Sequence, residues 1–139
     1  MSSARELWRE LDAARASLYT LFAAHDSDAL ATRPASGEWS AVENARHLLY
    51  AEEKHLGQLL PAGFRWSTIG LPTAGRPTRS GAGTEATKDL AEVLAAWDAV
   101  HASVRLDAVT EEQAARALDR NLRHLRAHTR TIQTLLGLR

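Results

Sequence analysis

Six histidines and no cysteine set the chemistry open to this chain. Without a thiol there is no disulfide, no cysteine nucleophile and no thiolate ligand, so a metal ion would have to be held by imidazole nitrogen or carboxylate oxygen. His124 and His128 stand four residues apart. On a helix that spacing puts both rings on one side, about 40° apart, as when one helix offers two imidazoles to a single ion. Two histidines at this spacing also arise often by chance. On a helical wheel they border the stripe of Leu118, Leu122, Leu125, Ile132 and Leu136, a position that suits ligands lining a cleft and equally suits half-exposed histidines without a role. His47 lies about 100° from Leu48, at the edge of its own apolar stripe, and spacing alone leaves it in the same position.

The other histidines are weaker candidates. His25 falls where a helix should end, and a cationic ring there interacts favourably with the helix dipole. His101, four residues after Trp97, reads as a satisfied core-edge histidine, whereas His55, eight after His47, could line the same cleft. Glu52 and Glu53 are not a paired-carboxylate site, because neighbouring helical positions diverge by about 100°. Glu52-Glu53-Lys54-His55 is the single Glu-x-x-His in the chain, and a di-iron carboxylate bundle needs one on each of two helices, which argues against that reading. No G-x-G-x-x-G, phosphate-binding loop or G-x-S-x-G occurs. Arg116, Arg120, Arg123, Arg126 and Arg130 share one helical face, but aromatic interleaving and a basic balance are both missing. A solvated face, paired with acids of a neighbouring helix or subunit, is therefore preferred to a nucleic-acid surface.

Four helices must position these residues. Ser3-Ala-Arg-Glu6, Ser40-Ala-Val-Glu43 and Thr110-Glu-Glu-Gln113 are capping boxes, each ahead of an apolar periodicity. The first helix should run to about His25, the second from Ser40 to Pro61 and the fourth from Thr110 to Gly137, with a break near Leu118 to Asn121. Trp39, just ahead of the second cap, should pack back on its helix and fix the angle at which the chain joins it. Thr84 or Thr87 caps the third helix, which carries Leu90, Val93, Leu94, Trp97, Val100 and Val104 inward. Between the second and third, residues 61–83 hold three of the four prolines and five of the eight glycines. A connection this long signals a functional loop or crossover. Phe64, Trp66, Ile69 and Leu71 should pack its first half, with the stretch from Arg79 to Gly83 more mobile. The expectation is an all-α single domain over residues 1–139, a four-helix bundle with a long crossover between helices 2 and 3.

Seventeen basic side chains balance seventeen acidic ones, so whole-chain charge predicts neither a nucleic-acid nor a membrane partner. No secretion signal or membrane-length apolar run is visible, which points to the cytoplasm. Lys54 and Lys88 are the only lysines, and an arginine- and alanine-rich composition is associated with GC-rich bacterial genomes.

The stretch G-E-W-S-A-V-E-N-A-R-H-L, Gly37 to Leu48, resembles the second-helix pattern of the DinB-like superfamily of bacterial proteins. Trp39, Ser40, Glu43, His47 and Leu48 all match. The family closes with H-x-x-x-H and an apolar residue four further on, which His124, His128 and Ile132 match. The resemblance implies a four-helix bundle, often homodimeric. It also implies one divalent metal ion, Zn or Ni first and Fe or Mn after, held by His47, His124 and His128 with coordination positions left open. Related families include S-transferases that use a low-molecular-weight thiol, bacillithiol or mycothiol. Thr131 stands where the family often has glutamine, and Asn44 and Arg46 are more polar than the usual neighbours of the second-helix histidine.

The functional expectation is a metal-dependent transferase or hydrolase acting on a small molecule, with Glu52, five residues after His47, orienting a ligand or water. The alternative is a non-enzymatic homodimeric bundle, an interaction or stress protein, with a vestigial or regulatory metal site.

Overall fold

Ser3, Ser40 and Thr110 start the three longest helices of the computed structural model, which describes residues 2–65, 69–72 and 89–138. In each, the cap hydroxyl accepts the amide three residues on, and that residue's side chain reaches back to the cap amide, so two orphan donors are satisfied at once. Helix α1 spans Ala4–Ala23, α3 Ala41–His55 and α5 Glu111–Leu135. Between α1 and α3 lies a short helix α2, Ser27–Ala31, capped by Asp26. The mixed composition there hides it, since five residues are too few to show a period. Helix α4 is Leu90–Ala102. Its cap is Asp89, whose carboxylate accepts from Ala91 N at 2.9 Å. Thr84 and Thr87, Trp66 and the stretch from Arg79 to Gly83 lie outside the described residues.

Two helix limits differ from expectation. Helix α3 stops at His55 rather than near Pro61, and the chain tightens into a 3₁₀ turn at Gly57–Leu59. A Cβ on Gly57 would come within 3.2 Å of Phe64 Cβ, so the returning chain packs closely over this glycine. Helix α5, by contrast, runs unbroken past Leu118–Asn121, because Leu118, Asn121 and Leu122 are all buried in regular helix. It ends in a Schellman motif, with Leu138 N donating to Gln133 O and Gly137, at φ 76°, donating to Thr134 O.

Helix α1 packs on α5, while α3 packs on both α5 and α4. Leu11, Leu18, Leu49, Leu56, Val93, Leu118, Leu125 and Ile132 fill the shared core. All regular structure among the described residues is helical. Helix α3 is unusual: twelve of its fifteen residues are buried, including Glu43, Asn44, Arg46, His47, Glu52 and Glu53. Six polar side chains removed from water each need partners, and those partners build the site.

Part of the connection after α3 is a strap across that helix. Arg46 Nε donates to Ile69 O at 2.6 Å, and Leu71 N donates to Arg46 O at 3.3 Å. Leu71 is fully buried and Ile69 packs on the core, as expected. Phe64 is half exposed, touching the Tyr50 ring edge-on. No helix among the described residues is long and apolar enough to cross a membrane.

Candidate metal centre

Helix α3 brings His47, and α5 brings His124 and His128, to one point. Each offers a ring nitrogen, and these nitrogens all lie within 4.8 Å of one another. The centroid separations are 5.0 Å for His47 and His124, 4.9 Å for His47 and His128, and 4.5 Å for His124 and His128.

Hydrogen bonds fix the direction of two rings. His47 Nδ1 lies 2.7 Å from the carbonyl oxygen of Leu71. A carbonyl only accepts, so Nδ1 carries the proton and Nε2 of the neutral ring presents a lone pair. His128 Nδ1 lies 2.8 Å from Asn44 Oδ1. The Asn44 amide is itself oriented, since its Nδ2 donates to Ser40 O at 2.9 Å. Orientation of imidazoles through the nitrogen that does not face the ion is the usual build of a histidine metal site. Trp39, packed back on its helix as the sequence predicts, lies 5.4 Å from the His47 ring and walls that side.

The donor set fits a divalent ion. His47 Nε2 and His124 Nε2 are 3.2 Å apart, close to the ~3.3 Å edge of a tetrahedron with bonds of about 2.0–2.1 Å. Burial also holds the rings neutral. His124 is pushed down to about 3, first by desolvation and then by His128, His47 and His55. His128 falls to about 4 through desolvation and His47. His47 is lowered by burial, against the opposing pull of the Leu71 carbonyl. Neutral imidazoles packed together present lone pairs that a cation satisfies. His124 Nδ1 is buried with no hydrogen-bond partner among the described residues, so no bond at that nitrogen orients the ring as Leu71 and Asn44 orient the other two.

The remaining histidines separate clearly. The His55 ring stands perpendicular to His124 at 5.3 Å but lies outside the converging group. His25 Nδ1 donates to Leu21 O at the end of α1, a capping role. His101 is the satisfied core-edge residue its position predicts, stacked on Trp8 at 4.2 Å. Its Nδ1 lies 2.8 Å from Glu52 and its Nε2 2.5 Å from Asp12.

Glu52 is fully buried, with one oxygen on His101 and the other accepting from Asn121 Nδ2 at 3.1 Å. Asn121 Oδ1 in turn lies 3.2 Å from His55 Nδ1. Glu52 thus reaches the cluster through Asn121 and His55. Thr131 is exposed and bonds its own helix backbone. The arginine face is solvated and pairs with acids, Arg126 with Glu10 on α1 and Arg116 and Arg123 with their own helix.

Sequence reasoning missed the residues that aim the ligands. Asn44 sits three positions before His47 and serves a histidine on another helix, while the Leu71 oxygen is backbone and has no signature. Arg33, whose guanidinium grips both oxygens of the Glu43 carboxylate, is equally unmarked.

No curated protein and no solved structure significantly matches the chain. A family model does, that of the DinB superfamily, over residues 10–138. With the paired motifs and the converging histidines in place, the chain belongs to the DinB superfamily.

Proposed function

We propose that His47, His124 and His128 hold one divalent metal ion, Zn or Ni in the first place and Fe or Mn in the second, in a metal-dependent transferase or hydrolase acting on a small molecule. The observation that carries this reading is the pair of Nδ1 hydrogen bonds to Leu71 O and Asn44 Oδ1, which aim the opposite nitrogens of two rings at a common point. When bound, the ion would supply Lewis-acid activation of a water or of a low-molecular-weight thiol. Trp39 and the strap exclude solvent from the His47 side. Glu52 acts as a positioning residue, holding Asn121 and through it His55 beside His124.

The four long helices, α1, α3, α4 and α5, form a four-helix bundle in this reading, with the chain between α3 and α4 as its crossover. The shared core of all four supports a single domain over residues 1–139. A cytoplasmic homodimer is the proposed setting, the dimer being what the family resemblance implies.

Metal analysis of the purified chain and of His124→Ala tests the ligand set. Stoichiometric Zn²⁺ or Ni²⁺ in the parent and its loss in the variant are expected; equal metal content in both would overturn the assignment. A parent whose melting temperature ignores both ions would favour the non-enzymatic dimer instead.

A further inference from the structure

A pocket of about 400 Å³ lies between the end of α3 and the first half of α5. Lys54, His55 and Gln58 line one side, and Gln113, Arg116 and Arg120 the other. Three of these side chains are permanent cations, two more are neutral amides, and no acidic side chain is among those that line the pocket. His55 belongs to both surroundings: it lines the pocket, and its ring stands perpendicular to that of His124 with centroids 5.3 Å apart.

Helical register ties this pocket to the candidate metal centre. Arg120 precedes His124 by four residues and so lies about 6 Å from it along the same face of α5. Lys54 follows His47 by seven, two turns along α3. The arrangement is polar where it faces the pocket and neutral where the histidines converge. A molecule spanning the two would carry its charge at one end and its reacting group at the other.

The geometry points to this pocket as the seat of a small oxyanion, a carboxylate or phosphate group, on the molecule that the metal centre acts upon; it rests on the metal reading above. Guanidinium forks match the planar oxygens of such a group, and the glutamine amides add donors. Arg116 is held at 2.7 Å by Glu112, but that pair is three-quarters exposed and four residues apart on one helix. Such pairs are weak, so an arriving anion displaces the glutamate at little cost. An ordinary solvated arginine face would bind anions without regard to position, which separates the two accounts.

The test is an NMR amide titration of the full chain at low ionic strength, with succinate and with inorganic phosphate in separate arms. Both the double variant Arg116→Gln/Arg120→Gln and the control Arg123→Gln/Arg130→Gln remove two charges from the same helix. Saturable shifts confined to residues 54–58 and 113–120 are expected, weakened about tenfold in the first variant and less than about twofold in the control. The stronger arm identifies the anion as carboxylate or phosphate. Shifts spread along α5, or equal losses in both variants, would overturn the pocket. Zn²⁺ titration of the same samples separates the two readings. Zn²⁺ binding without localised anion shifts removes the pocket alone, whereas localised shifts without Zn²⁺ binding leave an anion site and remove the metal.

Discussion

Asn44 carries more of the candidate site than its short side chain suggests. One end is tied to Ser40 O and the other accepts from His128 Nδ1, so a first-turn residue of α3 orients a ligand on α5. Replacing it with alanine leaves His128 in place without its acceptor, and Asn44→Ala should lower Zn²⁺ affinity about 10–100-fold, read by competition with a chromophoric chelator. The chain should stay folded, as circular dichroism would show. At this scale the sequence was half legible. His124 and His128 could be paired by spacing, and His47 joined them through a family pattern. Their orienting partners could not be found, because Asn44 serves a residue 84 positions away and Leu71 serves through its backbone. Glu52 stood out as a carboxylate near His47, but its burial between His101 and Asn121 depends on helix packing that no local spacing encodes.

Among the elements, starts were easier to read than stops. A capping box is a local exchange of two hydrogen bonds, so Ser3, Ser40 and Thr110 announced three helices from four residues each. The end of α3 depends instead on Gly57 meeting Phe64, a contact made only once the chain has turned back. Thr110→Ala should cost about 1 kcal/mol, a fall of several degrees in melting temperature, because the hydroxyl that accepts from Gln113 N is lost, while the backbone N–H of position 110 still donates to the Gln113 side chain. Calorimetry would measure it, and a loss well above about 2 kcal/mol would mean that Thr110 does more than cap. Helix α3 also shows why polarity misleads: its periodicity reads as amphipathic, yet its polar residues turn inward to Arg33, the strap, α4 and α5.

For the molecule as a whole, the buried imidazoles set how stability responds to acid. In the metal-free chain His47, His55, His124 and His128 all take protons less readily than an unfolded histidine, chiefly through burial. As pH falls below about 6.5 the unfolded chain gains protons that the folded chain cannot. Stability should therefore drop from pH 7 toward pH 4, the melting temperature falling by several degrees at pH 5. Glu43 continues the trend below about 4.5. Burial pushes its carboxyl up, but Arg33 and Ser40 outweigh that and hold it low, so its contribution is present at neutral pH and lost on protonation. A flat profile between pH 7 and 5 would show that the rings titrate freely and are not desolvated. The all-helical class was legible from capping boxes and apolar periodicity, and the family from two short motifs on different helices; the family match then spans residues 10–138.

The strap makes occupancy and shape two sides of one equilibrium. The Leu71 carbonyl accepts from His47, and the Leu71 amide donates to Arg46, so the seated strap favours the ring orientation that binds an ion. By reciprocity, an ion that prefers that orientation must favour the seated strap by the same factor. The Leu71 amide should then exchange its hydrogen more slowly when Zn²⁺ is added, while amides at the far end of α1 are unchanged. Anything that lifts residues 69–72 from α3 would loosen the ion in equal measure, making a stretch of loop backbone a regulator of an ion it holds only through His47.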